Sequence, residues 1–224
     1  MLLLNVPLSD KKTVKKLGAK WNKKIEKWYV DDYRKYGKFH LWYTPSNADI
    51  FITDEYYLVE QKYTCYKCHN RTTILSFAYC HHYYLEDYDD PWFSTVTYCD
   101  SIFPIGNFKI PLNKAQRCYL REKFNYYHDD ISYLKYSNGC NHCNFCNARQ
   151  ADTYLYNDNF RDYHYSEIAD TLPKDVILYR VPIRYDIPIE TPDSLLLYNK
   201  PQKIYFAHEY RYNVYNFSKF NFIT

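Results

Sequence analysis

Two Cys-x-x-Cys pairs, Cys65/Cys68 and Cys143/Cys146, stand 74 residues apart and together offer four thiolates. No other feature constrains the fold as strongly. Each pair can wrap a tight turn around a metal ion with its backbone amides aimed at the sulfurs, and two such turns must face each other to complete a tetrahedron. A closed four-thiolate shell selects zinc and holds a fold together without leaving a position open for reaction. The long stretch between the pairs is unusual for a zinc ribbon but harmless if its ends meet. The expected cofactor is therefore one structural Zn²⁺ bound by Cys65, Cys68, Cys143 and Cys146, contributing on the order of 10 kcal/mol to folding at neutral pH.

Two other metal chemistries fit less well. Cys140, Cys143 and Cys146 share a ferredoxin-like spacing, but Gln150 occupies the place where a fourth thiolate would complete an iron–sulfur cluster. A catalytic zinc with His69 or His142 replacing one sulfur would need an activating Glu beside it, and neither His has one in a metalloenzyme motif. Cys80, Cys99 and Cys118 read as small buried hydrophobes, and Cys80-His81-His82 as a partly solvated turn.

Composition points to an α+β chain with a β-rich body. The 224 residues include 29 Tyr and 13 Phe but only 4 Gly, and aromatic-rich alternation favours strands. Abundant Tyr beside abundant Lys, Asn and Ile reads as AT-rich coding more than as a base-stacking surface. Leu2–Val6 reads as a strand closed by Pro7. A helix follows, N-capped by Ser9 and Asp10, with Thr13, Val14 and Leu17 buried and Gly18 just past its end. Trp21 and Trp28 flank the turn of a hairpin and read as core of a small module, packed on Leu17 and Val6. Further strands are expected over 50–66, 71–79, 131–136, 153–156, 176–189, 195–198 and 203–215, with Pro182 and Pro188 at a sheet edge or bend. Residues 113–124 read as a helix capped by Asn113, with Ala115, Cys118 and Tyr119 on one side. The reading is a module over 1–45 and a continuous body over 46–224.

Charge is uneven. Residues 1–40 carry a net +7, whereas the remainder carries −4. Lys20, Lys23, Lys24 and Lys27 crowd the hairpin behind Lys11, Lys12, Lys15 and Lys16, and cations beside aromatics suit a sequence-tolerant nucleic-acid contact. No run of about 18 apolar residues predicts a membrane span. Met1-Leu2-Leu3-Leu4 lacks a basic flank and is cut short by Asn5 and Pro7, so no signal peptide is expected. Eight Cys without such an address imply reduced thiols and a cytoplasmic setting.

Leu4-Asn5-Val6-Pro7, Leu17-Gly18-Ala19-Lys20-Trp21-Asn22 and Lys27-Trp28-Tyr29-Val30 resemble a small domain of unknown function appended to TraC-type plasmid DNA primases and other mobile-element proteins. Asn22 stands where that pattern often has Asp, and Val14 where it commonly has Ala. Residues 64–68, with His142–Cys146 and Gln150-Ala151-Asp152, are similar to uncharacterised bacterial proteins that carry this module ahead of a split zinc-ribbon body, where Gln-Gly-Asp follows the second pair. The resemblance implies the four-Cys pairing, leaves Cys140 as an extra, and implies a nucleic-acid setting by association.

No Gly-rich phosphate loop, nucleophile elbow or His-Glu-x-x-His is present. His128-Asp129-Asp130, Asp162-Tyr163-His164 and the acids Asp89 and Asp90 are the nearest approach to a metal-dependent nuclease site, and they read as solvated turns. The expected function is a non-catalytic, nucleic-acid-binding accessory protein. The alternative is a protein–protein adaptor or inhibitor that docks a partner on its Tyr-rich, acidic body. A metal-dependent nuclease is a further alternative.

Overall fold

The computed structural model describes residues 1–79, 81–86, 95–99, 105–106, 110–128, 139–150, 177–190 and 213–216. Their architecture is α+β. In chain order the strands are β1 (Leu2–Leu4), β2 (Lys20–Asn22), β3 (Lys27–Val30), β4 (Ile50–Ile52), β5 (Glu55–Thr64), β6 (Arg71–Ala78), β7 (His82–Glu86) and β8 (Thr95–Cys99). They continue as β9 (Ile105–Gly106), β10 (Tyr126–Tyr127), β11 (Cys140–His142), β12 (Arg149–Gln150), β13 (Ile177–Pro182), β14 (Ile187–Ile189) and β15 (Asn213–Asn216). Helix α1 spans Lys11–Lys16 and α2 spans Lys114–Phe124. Two compact units interleave along the chain. The first takes Met1–Asp54, His81–Asp100 and Ile183–Leu197; the second takes Glu55–Cys80, Ser101–Pro182 and Tyr198–Thr224.

In the first unit, β1, β3 and β2 form an antiparallel sheet with β3 central. Leu4 pairs with Trp28 and Trp28 with Trp21, so the three share one face. Central Trp28 is half-buried against the core, while Trp21, on the edge strand, is 44% exposed. The expectation that both tryptophans are core thus holds for Trp28 alone, because an edge strand has a neighbour on one side only. Helix α1 ends in a Schellman motif: Ala19 N donates to Val14 O (3.0 Å), and Gly18 N donates to Lys15 O (3.1 Å). Gly18 sits at φ 102°, a conformation that favours a residue without Cβ. Of the predicted buried stripe, Val14 is buried, Leu17 half-buried and Thr13 exposed. Neither Ser9 nor Asp10 caps the helix. The Asp10 carboxylate accepts instead from Trp42 Nε1 at 2.9 Å and Ser9 Oγ at 2.7 Å, which hold its carboxyl below the usual range.

A 3₁₀ segment, Tyr33–Trp42, follows, with Asp32 accepting from Arg34 N at its start. The segment is kinked at Phe39, whose φ of −111° and ψ of 16° are not helical, and Tyr36, Phe39 and Trp42 are all buried. They extend the module's core to Phe51 of β4 and Leu85 near the end of β7. The Tyr36 hydroxyl donates to the Asp186 carboxylate, and burial together with that carboxylate raises its pKa. The second sheet of this unit runs β14-β4-β7-β8, with β14 and its Pro188 at the edge, as proline requires.

In the second unit the sheet order is β15-β13-β5-β6-β9. Its spine is the long hairpin β5–β6, paired from Tyr57↔Ala78 to Thr64↔Arg71. Pro182 ends β13, where a missing amide matters least. A small sheet, β10-β11-β12, stands beside it. Helix α2 opens with a capping box: Gln116 N donates to Asn113 Oδ1 at 2.9 Å, and Asn113 N to Gln116 Oε1 at 2.7 Å. The expected helix and its cap are both present. Its buried face is Gln116, Leu120 and Phe124, however, leaving Ala115 and Cys118 exposed and Tyr119 half-buried. The expectation of a buried Cys118 is corrected accordingly.

The strands expected over 131–136, 153–156 and 195–198 lie outside the described residues, as do Cys80 and most of 203–215. Only the backbone of Cys99 is described. His82, expected in a solvated turn, lies in β7 and is buried. No described helix is long and apolar enough to cross a membrane.

Candidate metal centre and basic module

Each Cys-x-x-Cys forms the turn of a hairpin. Thr64 and Arg71 close the end of β5–β6, and Cys65–Cys68 lies between them. His142 and Arg149 pair at the end of β11–β12, and Cys143–Cys146 lies between those. The two turns are built alike. Cys65 N donates to Asn70 O (3.0 Å) and His69 N to Cys65 O (2.9 Å); Cys143 N donates to Ala148 O (2.8 Å) and Asn147 N to Cys143 O (3.0 Å). His69 and Asn147, each following the second Cys, have φ of 58° and 56°, the left-handed conformation that lets the chain double back.

The four Sγ atoms lie within 4.8 Å of one another, so the cluster can hold a metal ion. Cys65 Sγ is 3.7 Å from Cys146 Sγ, and Cys68 Sγ is 3.6 Å from Cys143 Sγ. A tetrahedron with arms of about 2.3 Å has edges of about 3.8 Å, whereas a disulfide would bring the sulfurs to about 2.05 Å. The spacing fits coordination across the two turns and not a bond between them. It is compatible with a structural zinc site of zinc-ribbon type.

Donors converge on the sulfurs. Lys67 N and Phe145 N each approach the first Sγ of their own turn at 3.4 Å, Gln150 Nε2 reaches Cys65 Sγ at 3.4 Å, and Asn70 Nδ2 reaches Cys68 Sγ at 3.6 Å. Burial opposes ionisation of Cys65, but the amides of Cys68 and Lys67 outweigh it and bring the thiol down to about 6. Cys143 is lowered in the same way, against its burial, by the amides of Cys146 and Phe145. For Cys146 the Ala148 amide favours the thiolate, yet burial and the crowding of three other sulfurs push it up to about 11. Without a cation the four groups cannot all ionise together; a divalent ion resolves that conflict.

Cys140 stands outside the cluster. It is buried on β11, and its thiol donates to Tyr127 O at 3.7 Å. His142 is also buried, its ring stacked on Tyr127 with centroids 3.8 Å apart, and His69 is exposed. Of the acidic clusters, His128 is described and exposed, whereas Asp129, Asp130, Asp162, His164, Asp89 and Asp90 lie outside the described residues.

The lysines of the module fall into two groups. Lys20 is paired with Asp31 at 2.6 Å, which raises the lysine's pKa and lowers the aspartate's. Lys23 and Lys24 lie exposed in the hairpin turn, where Lys24 N donates to Asn22 Oδ1 at 3.0 Å. Lys27 is exposed, with Nζ 3.4 Å from Asn5 Oδ1. It lines a cleft of about 420 Å³ with Lys11, Trp21, Trp28, Pro7 and Glu26. Sequence reasoning missed this cleft and the role of Asp31, since Asp31 lies eleven residues from Lys20 and meets it only across the β2–β3 pair.

Residues 1–44 match a domain of unknown function, DUF5710. No curated protein and no solved structure matches the chain.

Proposed function

We propose that this is a non-catalytic, zinc-organised accessory protein of a bacterium, phage or mobile element that binds nucleic acid through its N-terminal module. In this reading Cys65, Cys68, Cys143 and Cys146 ligate a structural Zn²⁺, the 46–224 body is of split zinc-ribbon type, the module over 1–45 is of the kind joined to plasmid primases, and the protein works in the cytoplasm. One observation carries the nucleic-acid reading. An exposed tryptophan, Trp21, stands beside exposed Lys23, Lys24 and Lys27 on a single hairpin. Aromatic faces take bases and lysines take phosphates, independent of sequence. Lys20, already neutralised by Asp31, contributes less than its neighbours. The test is fluorescence anisotropy with a labelled single-stranded oligonucleotide. Affinity should fall steeply with salt, and replacing Lys23 and Lys24 by Gln should reduce the log–log slope by about 1.4. Absence of binding at low salt ends this reading.

A protein-binding role is favoured by a different observation. Tyr66 and Phe145, at the tips of the two cysteine turns, are 59% and 65% exposed. Rigid aromatics held on a metal-clamped turn suit a protein interface. A partner that stays bound through nuclease treatment, and is lost when Tyr66 and Phe145 are replaced by Ser, would establish this role in place of the first.

A further inference from the structure

The chain beyond residue 40 is net acidic, but that excess lies in the first unit's later segments, and the second unit, itself net positive, carries a cationic cleft. It measures about 260 Å³ and lies between α2 and β10. Lys114, Arg117 and Arg121 line one wall, Tyr127 and His128 another, and Leu120 lies among the apolar lining; the described lining residues include no carboxylate. Lys114, Arg117 and Arg121 recur at steps of three and four, so they stack along one helix face. That face spans about 10 Å at 1.5 Å rise per residue.

The two arginines are held in place. The Arg121 guanidinium lies 5.1 Å from the Tyr127 ring centroid, and that ring stacks on buried His142. The Tyr127 hydroxyl donates to Asn147 Oδ1 at 3.3 Å, within the second cysteine turn. Arg117 donates to Leu112 O at 2.8 Å, which orients its fork and leaves other N–H groups available. Asn125, at the C-cap of α2, donates to the carbonyls of His142 and Cys143 at 3.3 and 3.2 Å. The helix that presents the cations is thereby tied to the metal-binding turn.

We propose that this cleft binds the phosphate backbone of a nucleic-acid strand, a contact independent of the N-terminal hairpin. Arginine forks match phosphate oxygens. A stripe of about 10 Å exceeds what a single phosphate group can engage, whereas a strand places one charge about every 3.4 Å along a duplex axis. With Tyr127 held between His142 and Arg121, the wall favours phosphates over stacked bases.

The experiment uses the full zinc-loaded chain, a labelled single-stranded oligonucleotide and, separately, inorganic phosphate. Arg117→Gln with Arg121→Gln should weaken oligonucleotide binding at least about tenfold and lower the salt slope by about 1.4, with zinc content unchanged. Lys114→Gln, on the exposed first turn of α2, should lower the slope by about half as much and covers the case in which the double variant fails to fold. Oligonucleotide binding unaffected by these changes overturns the proposal, and so does binding of inorganic phosphate alone. If Lys23 and Lys24 matter and the α2 cations do not, this inference fails while the hairpin reading stands.

Discussion

The side chain of Asn141 pairs with the backbone of Leu75 as a strand neighbour would. Leu75 N donates to Asn141 Oδ1 at 2.6 Å, and Asn141 Nδ2 donates to Leu75 O at 2.9 Å, both residues being fully buried. One amide thus stitches β11, which carries the second cysteine turn, to β6, which leaves the first. A second stitch, Asn144 N to Thr72 Oγ1 at 2.9 Å, lies closer to the sulfurs. These contacts bring two turns 74 residues apart into register before any metal is counted.

Asn141→Ala leaves two buried backbone groups unpaired and should cost about 2–4 kcal/mol in urea unfolding of the zinc-bound chain. Asn141→Asp keeps an acceptor for Leu75 N but sets a carboxylate against Leu75 O, so it should be no better than Ala. A loss below about 0.5 kcal/mol for either variant would show that the pairing does not hold the turns together.

Gln150 acts directly on the sulfur shell. Its Nε2 donates both to Cys65 Sγ at 3.4 Å and to Ala148 O at 2.8 Å. Gln150→Glu replaces that donor with an anion beside a thiolate and should weaken zinc about 10–100-fold in a chelator competition, the usual scale for a group that orients a ligand. Unchanged affinity would show that the amide does not tune Cys65.

Gly139 marks a close backbone approach. A Cβ there would lie 2.7 Å from Tyr127 C and 2.8 Å from Tyr127 O, main-chain atoms that cannot turn aside. Gly139→Ala should therefore part β10 from β11 and destabilise by about 1–3 kcal/mol, measured by thermal unfolding. An unchanged midpoint would contradict the packing.

Zinc binding should be linked to protons in a defined sense. Cys65, lowered to about 6, is already a thiolate at pH 7, whereas Cys146, raised to about 11, is a thiol. The metal therefore displaces fewer than four protons at pH 7, and one more once the pH drops below about 6 and Cys65 is protonated in the free chain. Affinity falls with decreasing pH, and the fall steepens near 6. Calorimetry in buffers of different ionisation enthalpy reads the proton count; a count of four at pH 7 would contradict the assignment.

What could be read from the chain alone follows the range of the interactions. The cysteine turns and the cap of α2 are local chemistry: Cys-x-x-Cys, and Asn113 with Gln116 three residues on. Both were legible. The buried face of α2 was misjudged because Gln116, a polar residue, turns inward to complete the cap and Leu120 and Phe124 follow it. The aromatic run 33–42 hid its 3₁₀ turns, since they are short and broken by the kink at Phe39 and so leave no sustained helical period. The interleaving of the two units depends on β4 pairing with β14 and β7, far off in sequence. The α2 cations were missed because a net charge of −4 over the remainder averages away a local basic stripe.

The most direct measurement is metal content and fold together: native mass spectrometry of the purified full chain, with elemental analysis, before and after chelation. One zinc per chain is expected, lost on Cys65→Ser or Cys143→Ser, with chelation collapsing the second unit's near-ultraviolet signal. A chain that carries no metal and keeps its cooperative unfolding transition unchanged would contradict the account at its root.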